Sequence, residues 1–392
     1  MLLYYRRYKL KINNIDFKNG IVLSSMSGIT NSKFAIDFAS NAGLVIIGSY
    51  NIDDESTSAG LLCKNNGRNE FIFKNSINEI INEIELFNKT YIEKNNAPKL
   101  CISIRCKSLD KLIEFTEKIK DKNVMLEIDC HCRQDPFLNI GLGESLINNK
   151  TLLLKMINCI KERNIILSIK IRPLSIINIY DFINFINNTN IDIIHIDAMS
   201  KKINEGDENY IKTIKNNTKN KIIIANNSIK SFNDCIKYFT NGADLVSVAR
   251  EVLNDNKIIE KLSKEFNSYI NVYGWYNSPS HICKNGDLRG LSFCCPAIKN
   301  CQLISTLKKY NVSIDEYHKL KIKYSKNTPL QLSVNTCFGS LLWCCKISKP
   351  CIYRDQALLD INLSKKDYML YKKNVGDKII IDIYNKNHSG KI

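Results

Sequence analysis

Short apolar runs recur along the first 250 residues of the chain and alternate with stretches of helical period. The helical stretches include SINEIINEIELFNKTYIEK and SLDKLIEFTEKIK, in which apolar residues return every three or four positions. The apolar runs are continuous and rich in Ile and Val, which is typical of strands buried on both faces of a parallel sheet. The eight predicted strands are GIVLSSM (20–26), GLVIIGSY (43–50), KLCISIR (99–105), VMLEIDC (124–130), IILSIKIR (165–172), IDIIHIDA (191–198), KIIIAN (221–226) and ADLVSVA (243–249).

Eight strand–helix units within about 250 residues are the number and length expected of a (β/α)8 barrel. An open, doubly wound parallel sheet is the alternative, and the count of eight favours the barrel. We therefore predict an α/β fold, a (β/α)8 TIM barrel. In such barrels the chemistry lies at the C-terminal ends of the strands.

The barrel rhythm stops near Ser268. The segment that follows, NVYGWYNSPSHICKNGDLRG, is rich in Gly, Pro, Asn and aromatic residues. We predict a barrel at 1–268, a small cysteine-rich, metal-binding module at 269–355 and a C-terminal tail at 356–392. Within the tail, DKIIIDIYNKN (377–387) has the apolar run of a strand.

Composition and charge narrow the class of protein. Hydrophobic residues make up 44% of the chain and charged residues 24%, which is ordinary for a globular protein. The formal net charge of +17 would suit a polyanion such as nucleic acid, but the basic residues form no polybasic run. No apolar stretch has the length of a membrane span, and MLLYYRRYKLKI lacks the features of a signal peptide. We expect a cytoplasmic protein that does not bind a membrane.

Eight of the 15 cysteines form two quartets of the same design: a cysteine, a gap, an adjacent pair, five residues and a last cysteine. In a reducing cytosol these are not a disulfide framework, and a duplicated set of four thiolates is what two metal sites require. Zinc sites usually have Cys-x2-4-Cys knuckles, which the quartets lack, so iron–sulfur clusters of the [4Fe-4S] type are favoured over zinc. One cysteine of each adjacent pair could serve elsewhere. The quartets are Cys283, Cys294, Cys295 and Cys301, and Cys337, Cys344, Cys345 and Cys351.

The ends of the predicted strands carry polar motifs. They are SSMSGITNSKF (24–34), EIDCHCR (127–133) followed by NIGLGESLINN (139–149), IKIR (169–172), IANNSIKSFNDC (224–235) and GADLVSVAREVL (242–253). In this order, from about residue 20 to residue 255, they resemble the strand-end motifs of tRNA-dihydrouridine synthases. The dihydroorotate dehydrogenases share the same flavin barrel.

The resemblance implies a site for flavin mononucleotide (FMN). In that site Lys170 would stabilise the reduced, anionic flavin, which suits a fixed cation. Backbone N–H groups and a guanidinium would hold the phosphate. The implied cofactor-binding residues are Met26, Gly28 and Ser103 near the ring, Lys170, Asp197 in place of the family's His, and Asn226, Asn227, Ala249 and Arg250 at the phosphate.

The resemblance also implies a catalytic pair. Cys132 would match the family's proton donor, and Asp129 stands where the family has a neutral Asn. Cys130 and Cys132 flank His131, so these three residues are an alternative metal or redox set. His195, on an apolar strand, is expected to be a satisfied core residue.

The Cys-Cys-Pro run with its following cysteine resembles an archaeal family known as methanogenesis marker protein 9, over the C-terminal third of the chain. Our first hypothesis is an FMN-dependent oxidoreductase of methanogenic archaea, whose clusters relay electrons from a donor protein such as a ferredoxin. Its substrate, a small molecule or a protein, is open. The second is reduction of uridine in tRNA, which is less favoured because the cysteine module replaces that family's helical tRNA-binding domain. The third is a non-enzymatic, metal-bearing assembly or electron-transfer partner.

Overall fold

The computed structural model of the protein describes residues 10–12, 15–91, 97–202, 205–273, 302–329 and 362–388. Contacts divide the chain into two units, Met1–Ser268 and Tyr269–Ile392. All eight cysteines of the two quartets lie outside the described residues, so the metal sites stay predictions.

Eight parallel strands close into a barrel in the first unit, and each matches one of the predicted strands. Strand pairing follows chain order, and the last strand pairs with the first to close the sheet. The predicted α/β barrel is therefore confirmed. A two-strand antiparallel hairpin, β1 (Leu10–Ile12) and β2 (Ile15–Phe17), precedes it. The barrel strands are β3 (Ile21–Leu23), β4 (Leu44–Asn51), β5 (Lys99–Arg105), β6 (Met125–Cys130), β7 (Leu167–Ile171), β8 (Ile193–Asp197), β9 (Ile222–Asn226) and β10 (Leu245–Val248).

Within the first unit, helices connect the strands, and their apolar faces pack on the barrel. In Leu109–Ile119, for example, the buried residues Leu112, Phe115 and Ile119 recur at helical spacing, and the Ser108 hydroxyl caps the first turn. None of the described helices has the length and apolarity needed to span a bilayer. The helices are α1 (Ser32–Ala39), α2 (Asp54–Asn65), α3 (Ser76–Tyr91), α4 (Leu109–Ile119), α5 (Asp135–Asn139), α6 (Glu144–Asn148), α7 (Lys150–Lys161), a 3-10 turn (Pro173–Ser175), α8 (Ile179–Asn187), α9 (Glu208–Asn217), α10 (Phe232–Thr240), α11 (Glu251–Asn254), α12 (Ile258–Tyr273), α13 (Gln302–Lys309), α14 (Ile314–Ser325) and α15 (Lys365–His388).

The two ends of the barrel interior differ in polarity. Toward the N-terminal ends of the strands, one apolar cluster joins Phe17 of the hairpin to Val22, Leu44, Ile46, Cys101, Met125, Ile193, Ile222, Ile224 and Leu245. Toward the C-terminal ends, buried polar side chains take their place: Ser24, Ser103, Glu127, Asp129, Lys170, His195 and Ser247. Burying so many polar groups is costly unless they are paired, so this end, the mouth of the barrel, is the candidate site.

The prediction of a strand at 377–387 is wrong, because these residues belong to helix α15. The buried side chains of this helix are Tyr368, Val375, Ile379 and Ile383, which are seven, four and four residues apart, whereas Ile381 is 56% exposed. That spacing is helical. Three consecutive isoleucines are typical of a strand. The helix is indicated only by the spacing of apolar residues over a longer segment.

The helical register predicts unequal effects of two matched substitutions. Ile379→Val removes a buried methylene and should lower the free energy of unfolding of the second unit by about 1 kcal/mol. Ile381→Val, on the exposed side, should change it by less than about 0.5 kcal/mol. Urea titration with hydrogen exchange of α15 peptides measures both, and equal losses would contradict the helix.

Candidate active site

Lys170 lies on β7, in register with Asp129 on β6 and His195 on β8. Its side chain is buried, and Nζ donates a hydrogen bond to Ser24 Oγ at 2.8 Å. Within the described part of the chain Lys170 forms no salt bridge. The carboxylates of Glu127, Asp129 and Asp197 act on this ammonium group only through space, and the described residues offer it no hydrogen-bond acceptor besides the Ser24 hydroxyl. Lys170 is therefore a candidate ligand for an anion.

Arg105, at the end of β5, is held between two carboxylates. Its Nε contacts Asp129 Oδ2 at 2.8 Å and its Nη1 contacts Glu70 Oε2 at 2.9 Å. Nη2 donates to Ser27 Oγ at 2.9 Å, and the guanidinium lies 4.2 Å from the centre of the Phe137 ring. All three charged side chains are almost completely buried, and the second negative charge is offset by Arg68, whose Nε contacts Glu70 Oε1 at 3.1 Å.

Asp129 also binds the residue two positions further on. Its Oδ1 lies 2.7 Å from Nδ1 of His131 and accepts from the backbone N–H groups of His131 and Cys132, both at 3.2 Å. Burial alone would raise the pKa of Asp129, but the charges of His131 and Arg105 outweigh it and hold that pKa well below its ordinary value. Asp129 is thus ionised, and it orients an imidazole whose side chain is 22% exposed.

The neighbouring cysteines are less accessible than His131. Cys132 is 4% exposed and Cys130 is fully buried, and burial raises the pKa of both thiols. Because side chains alternate along a strand, Cys130 lies on the face opposite to Asp129. Among the described residues no group of three or more His, Cys, Asp or Glu side chains could hold a metal ion. The structure therefore does not assemble Cys130, His131 and Cys132 into the alternative metal set.

Arg172, just after β7, forms a second ion-pair network. Its Nη2 contacts Asp197 Oδ2 at 2.9 Å, and Nη1 contacts Glu144 and donates to the carbonyl oxygen of His131 at 3.1 Å. The other oxygen of Asp197 accepts from Nδ2 of Asn227 at 2.8 Å. Burial opposes ionisation of Asp197, but the charges of His131 and Arg172 keep its pKa lowered. Both oxygens of Asp197, a predicted cofactor ligand, are thus used within the protein.

A buried polar chain crosses the barrel below the mouth. His195 Nδ1 lies 2.8 Å from Glu127 Oε2, and its Nε2 lies 2.8 Å from Ser247 Oγ, which accepts from Asn226 Nδ2 at 2.7 Å. Burial lowers the pKa of His195. The expectation of a satisfied core histidine is confirmed, because both ring nitrogens have partners.

The residues expected near a flavin ring lie in different settings. Met26 is buried at the end of β3, next to Ser25, whose Oγ is buried with no hydrogen-bond partner among the described residues. Gly28 has a φ of +72°, and a Cβ there would lie 2.5 Å from the backbone of Asn69, so packing of that segment explains the glycine. Ser103 is fully buried and hydrogen-bonds to Ser49 at 2.9 Å.

The residues expected at the phosphate follow β9 and β10. Asn227 and Ser228 both have positive φ, +120° and +53°. Such backbone is uncommon outside glycine and clusters at ligand-binding sites. Ala249 is partly exposed and Arg250, which begins α11, is exposed. The loops after β9 and β10 thus have backbone of positive φ and an exposed guanidinium, and the phosphate site stays a prediction.

Comparison with solved structures supports the class of fold. A DHODH from Eimeria tenella, solved in complex with ferulenol, has a TM-score of 0.50 and 13% sequence identity to this chain, covering 69% of this chain and 86% of that one. The fold is a DHODH-like (β/α)8 barrel.

Comparison with known sequences places the chain in a family. No family model matches it. One uncharacterized protein of Methanocaldococcus jannaschii is 31% identical over 266 residues, 65% of this chain and 97% of the relative. A second uncharacterized protein of that organism is 52% identical over 107 residues, 27% of this chain and 69% of the relative. The chain belongs to the family of these two uncharacterized proteins.

Proposed function

We propose that the protein is a flavin-dependent oxidoreductase that holds FMN at the mouth of the barrel. The observation that carries the proposal is Lys170, a buried cation at the mouth that no carboxylate pairs within the described residues. A flavin gains negative charge when it is reduced, and a fixed ammonium group would complete its electrostatic needs there. The DHODH-like fold supports the same location.

Other residues of the mouth fit this cofactor. Among the described residues the buried Ser25 Oγ has no hydrogen-bond partner, and it lies between Met26 and Ser24, which binds Lys170. Positive φ at Asn227 and Ser228 suits a loop that presents its backbone to a phosphate. When bound, the flavin would supply hydride chemistry. The protein's own residues would bind it, exclude water from its ring and balance its charge.

We further propose that the cysteine quartets hold iron–sulfur clusters that pass electrons to the barrel. This part rests on the spacing of Cys283–Cys301 and Cys337–Cys351, which lie outside the described residues. Four thiolates satisfy one cluster, and two identical sets would satisfy two. Clusters deliver single electrons, which a flavin can collect for a two-electron reaction.

A spectrum of protein purified without oxygen tests both parts. Flavin peaks with a broad shoulder that bleaches on adding dithionite are expected, together with iron and sulfide in elemental analysis. A colourless protein that contains zinc and takes up no FMN on reconstitution would overturn the proposal. Flavin peaks without iron would keep the barrel site and remove the relay.

Lys170→Met should weaken binding of FMN about tenfold or more, which is about 1.4 kcal/mol. The loss should be larger for reduced FMN, because its negative charge then lacks a partner. No carboxylate of the described residues forms a salt bridge with Lys170, so the fold should persist in Lys170→Met. Fluorescence titration with oxidised and reduced FMN measures the effect.

The matched control is Lys212→Met, which changes an exposed lysine of α9. It should bind FMN as the unchanged protein does. If both variants bind equally well, Lys170 does not contact the cofactor.

A further inference from the structure

The mouth contains a hydrogen-bonded Asp–His pair that the motif resemblance does not account for. His131 stands where the dihydrouridine synthase segment has a glycine, between Asp129 and Cys132. We propose that Asp129 and His131 form a proton-transfer dyad, in which Nε2 of His131 exchanges a proton with a substrate bound at the mouth. The inference rests on the proposed function in that it places a substrate there.

The geometry fixes which nitrogen is reactive. An ionised carboxylate only accepts hydrogen bonds, so the 2.7 Å contact with Asp129 requires a proton on Nδ1 of His131. A neutral His131 then carries its lone pair on Nε2, which has no partner among the described residues. The arrangement is that of a general base with an orienting carboxylate.

Three further contacts fix the backbone of His131 and the carboxylate that binds its ring. The backbone N–H of His131 donates to Asp129 at 3.2 Å, and its carbonyl oxygen accepts from Arg172 at 3.1 Å. Asp129 is itself fixed by Arg105. The titratable groups that interact with the imidazole are Asp129, Asp197 and His195, and Arg172 contacts the backbone carbonyl of His131. A ring held by its neighbours is pre-organised for proton transfer.

His131 suits this role better than Cys132. Cys132 is 4% exposed, and burial raises the pKa of its thiol, which moves it away from neutral pH. The His131 side chain is 22% exposed, and its Nε2 has no partner among the described residues, so it can reach a bound substrate. A group that transfers a proton must lie within hydrogen-bond reach of the atom that receives it.

The charges of the mouth indicate the class of substrate. The Arg105 guanidinium has two carboxylate partners, and so does that of Arg172. Neither has an unpaired charge to offer an anionic group beside His131. We therefore expect an uncharged substrate with a polarised double bond, such as a carbonyl or a conjugated alkene.

The proposed step balances in protons. In the direction of reduction, imidazolium Nε2–H breaks, the proton bonds to the substrate atom that becomes negative, and neutral imidazole remains. A proton from the solvent then restores the imidazolium. The second hydrogen and the two electrons would arrive together as the hydride that the reductant of the proposed function supplies, and Asp129 stays ionised throughout.

Nitrogen NMR of protein with 15N-labelled histidine rings tests the dyad without any cofactor. The chain has 5 histidines, and His131→Gln identifies the signals of His131 by their loss. The nitrogen shifts distinguish the imidazolium from the two neutral forms, and in the neutral ring of the unchanged protein we expect the proton on Nδ1. In Asp129→Asn the side-chain amide can donate instead, so the ring should switch to the Nε2–H form. An Nε2–H ring in the unchanged protein would overturn the proposal, whether or not Asp129→Asn folds.

Asp197→Asn is the control, because Asp197 faces the ring without a hydrogen bond to it. It should leave the form of the ring unchanged, and a switch there would contradict the assignment to Asp129. His131→Gln should bind FMN within about twofold of the unchanged protein, less than 0.5 kcal/mol. FMN binding with an Nε2–H ring would leave the proposed function standing without the dyad. An Nδ1–H ring without FMN binding would support the hydrogen-bonded dyad and contradict the proposed function.

Discussion

Replacing Arg105 with methionine is expected to lower the free energy of unfolding of the barrel unit by about 3–5 kcal/mol. The substitution leaves the carboxylates of Glu70 and Asp129 buried with their shared guanidinium removed. It also removes the hydrogen bond to Ser27 and the contact with Phe137. Loss of one member of a buried network costs far more than the pair contributes, because charges then remain unpaired in a medium that solvates them poorly.

Urea denaturation followed by hydrogen exchange of β5 and β6 peptides measures this loss. The control is Lys122→Met, which breaks a surface pair of 2.8 Å between Lys122 and Glu85 and should cost less than about 1 kcal/mol. Losses of equal size would contradict a buried network around Arg105.

The same network predicts how stability depends on pH. The pKa of Asp129 is held below its ordinary value of 3.8, so its contribution is present above pH 3.8 and is lost as the pH falls through the folded value. The difference between the unchanged protein and Arg105→Met should therefore shrink in acid. Denaturation curves recorded from neutral pH downward measure it, and a constant difference would contradict ionisation of Asp129.

Gly143→Ala is expected to lower the free energy of unfolding by about 2–5 kcal/mol and to shift the loop that carries His131. Gly143 is the N-cap residue of α6. Its φ of +60° and ψ of −136° are a backbone conformation that residues other than glycine rarely adopt. A Cβ there would lie 2.1 Å from the carbonyl oxygen of Cys132, which accepts from the N–H of Glu144. Backbone must move to relieve that contact, which adds the cost of overpacking to that of strain.

Gly141→Ala separates the two costs. Gly141 lies in the same loop and has φ +80°, but among the described residues no atom beyond its chain neighbours lies within 4 Å of the Cβ position. It should therefore lose only the backbone preference, about 1–2 kcal/mol. Urea denaturation compares the variants, and the NMR signals of His131 report the shift of the loop. If both variants lose the same free energy of unfolding and the NMR signals of His131 do not shift, the close contact between a Cβ at position 143 and the Cys132 carbonyl is contradicted.

The barrel could be predicted because each strand is a short, continuous apolar run, which can be recognised from the local sequence alone. KLCISIR has the predicted bounds of β5, whereas GIVLSSM extends three residues beyond β3, where Ser24, Ser25 and Met26 turn into the mouth. The β1–β2 hairpin was missed because each of its strands has only three residues. Its signal was present in LKINNIDF, where two asparagines separate short apolar–polar alternations.

The position of the site could be predicted, but its ion pairs could not. Lys170, Asp129 and Cys132 lie at the mouth because strand ends meet there, while their roles stay predictions. Glu70 is not at a strand end, and it meets Arg105 35 residues away in the chain. The sequence does not show which distant residues approach each other in the fold, so this ion pair could be found only from the structure. The one available signal was Arg105 itself, an arginine at the end of an apolar strand that requires a buried partner.

The pairing of charges at the mouth has a consequence for the electric field around the protein. Arg105 and Arg172 are each matched by two carboxylates there, so the formal net charge of +17 is carried by other parts of the chain. Mobile ions screen a field that extends into solvent over about 8–10 Å at ordinary ionic strength, but they hardly reach buried pairs. Added salt should therefore weaken the long-range attraction of acidic macromolecules to the protein and slow their association. The electrostatic interactions inside the barrel should change little.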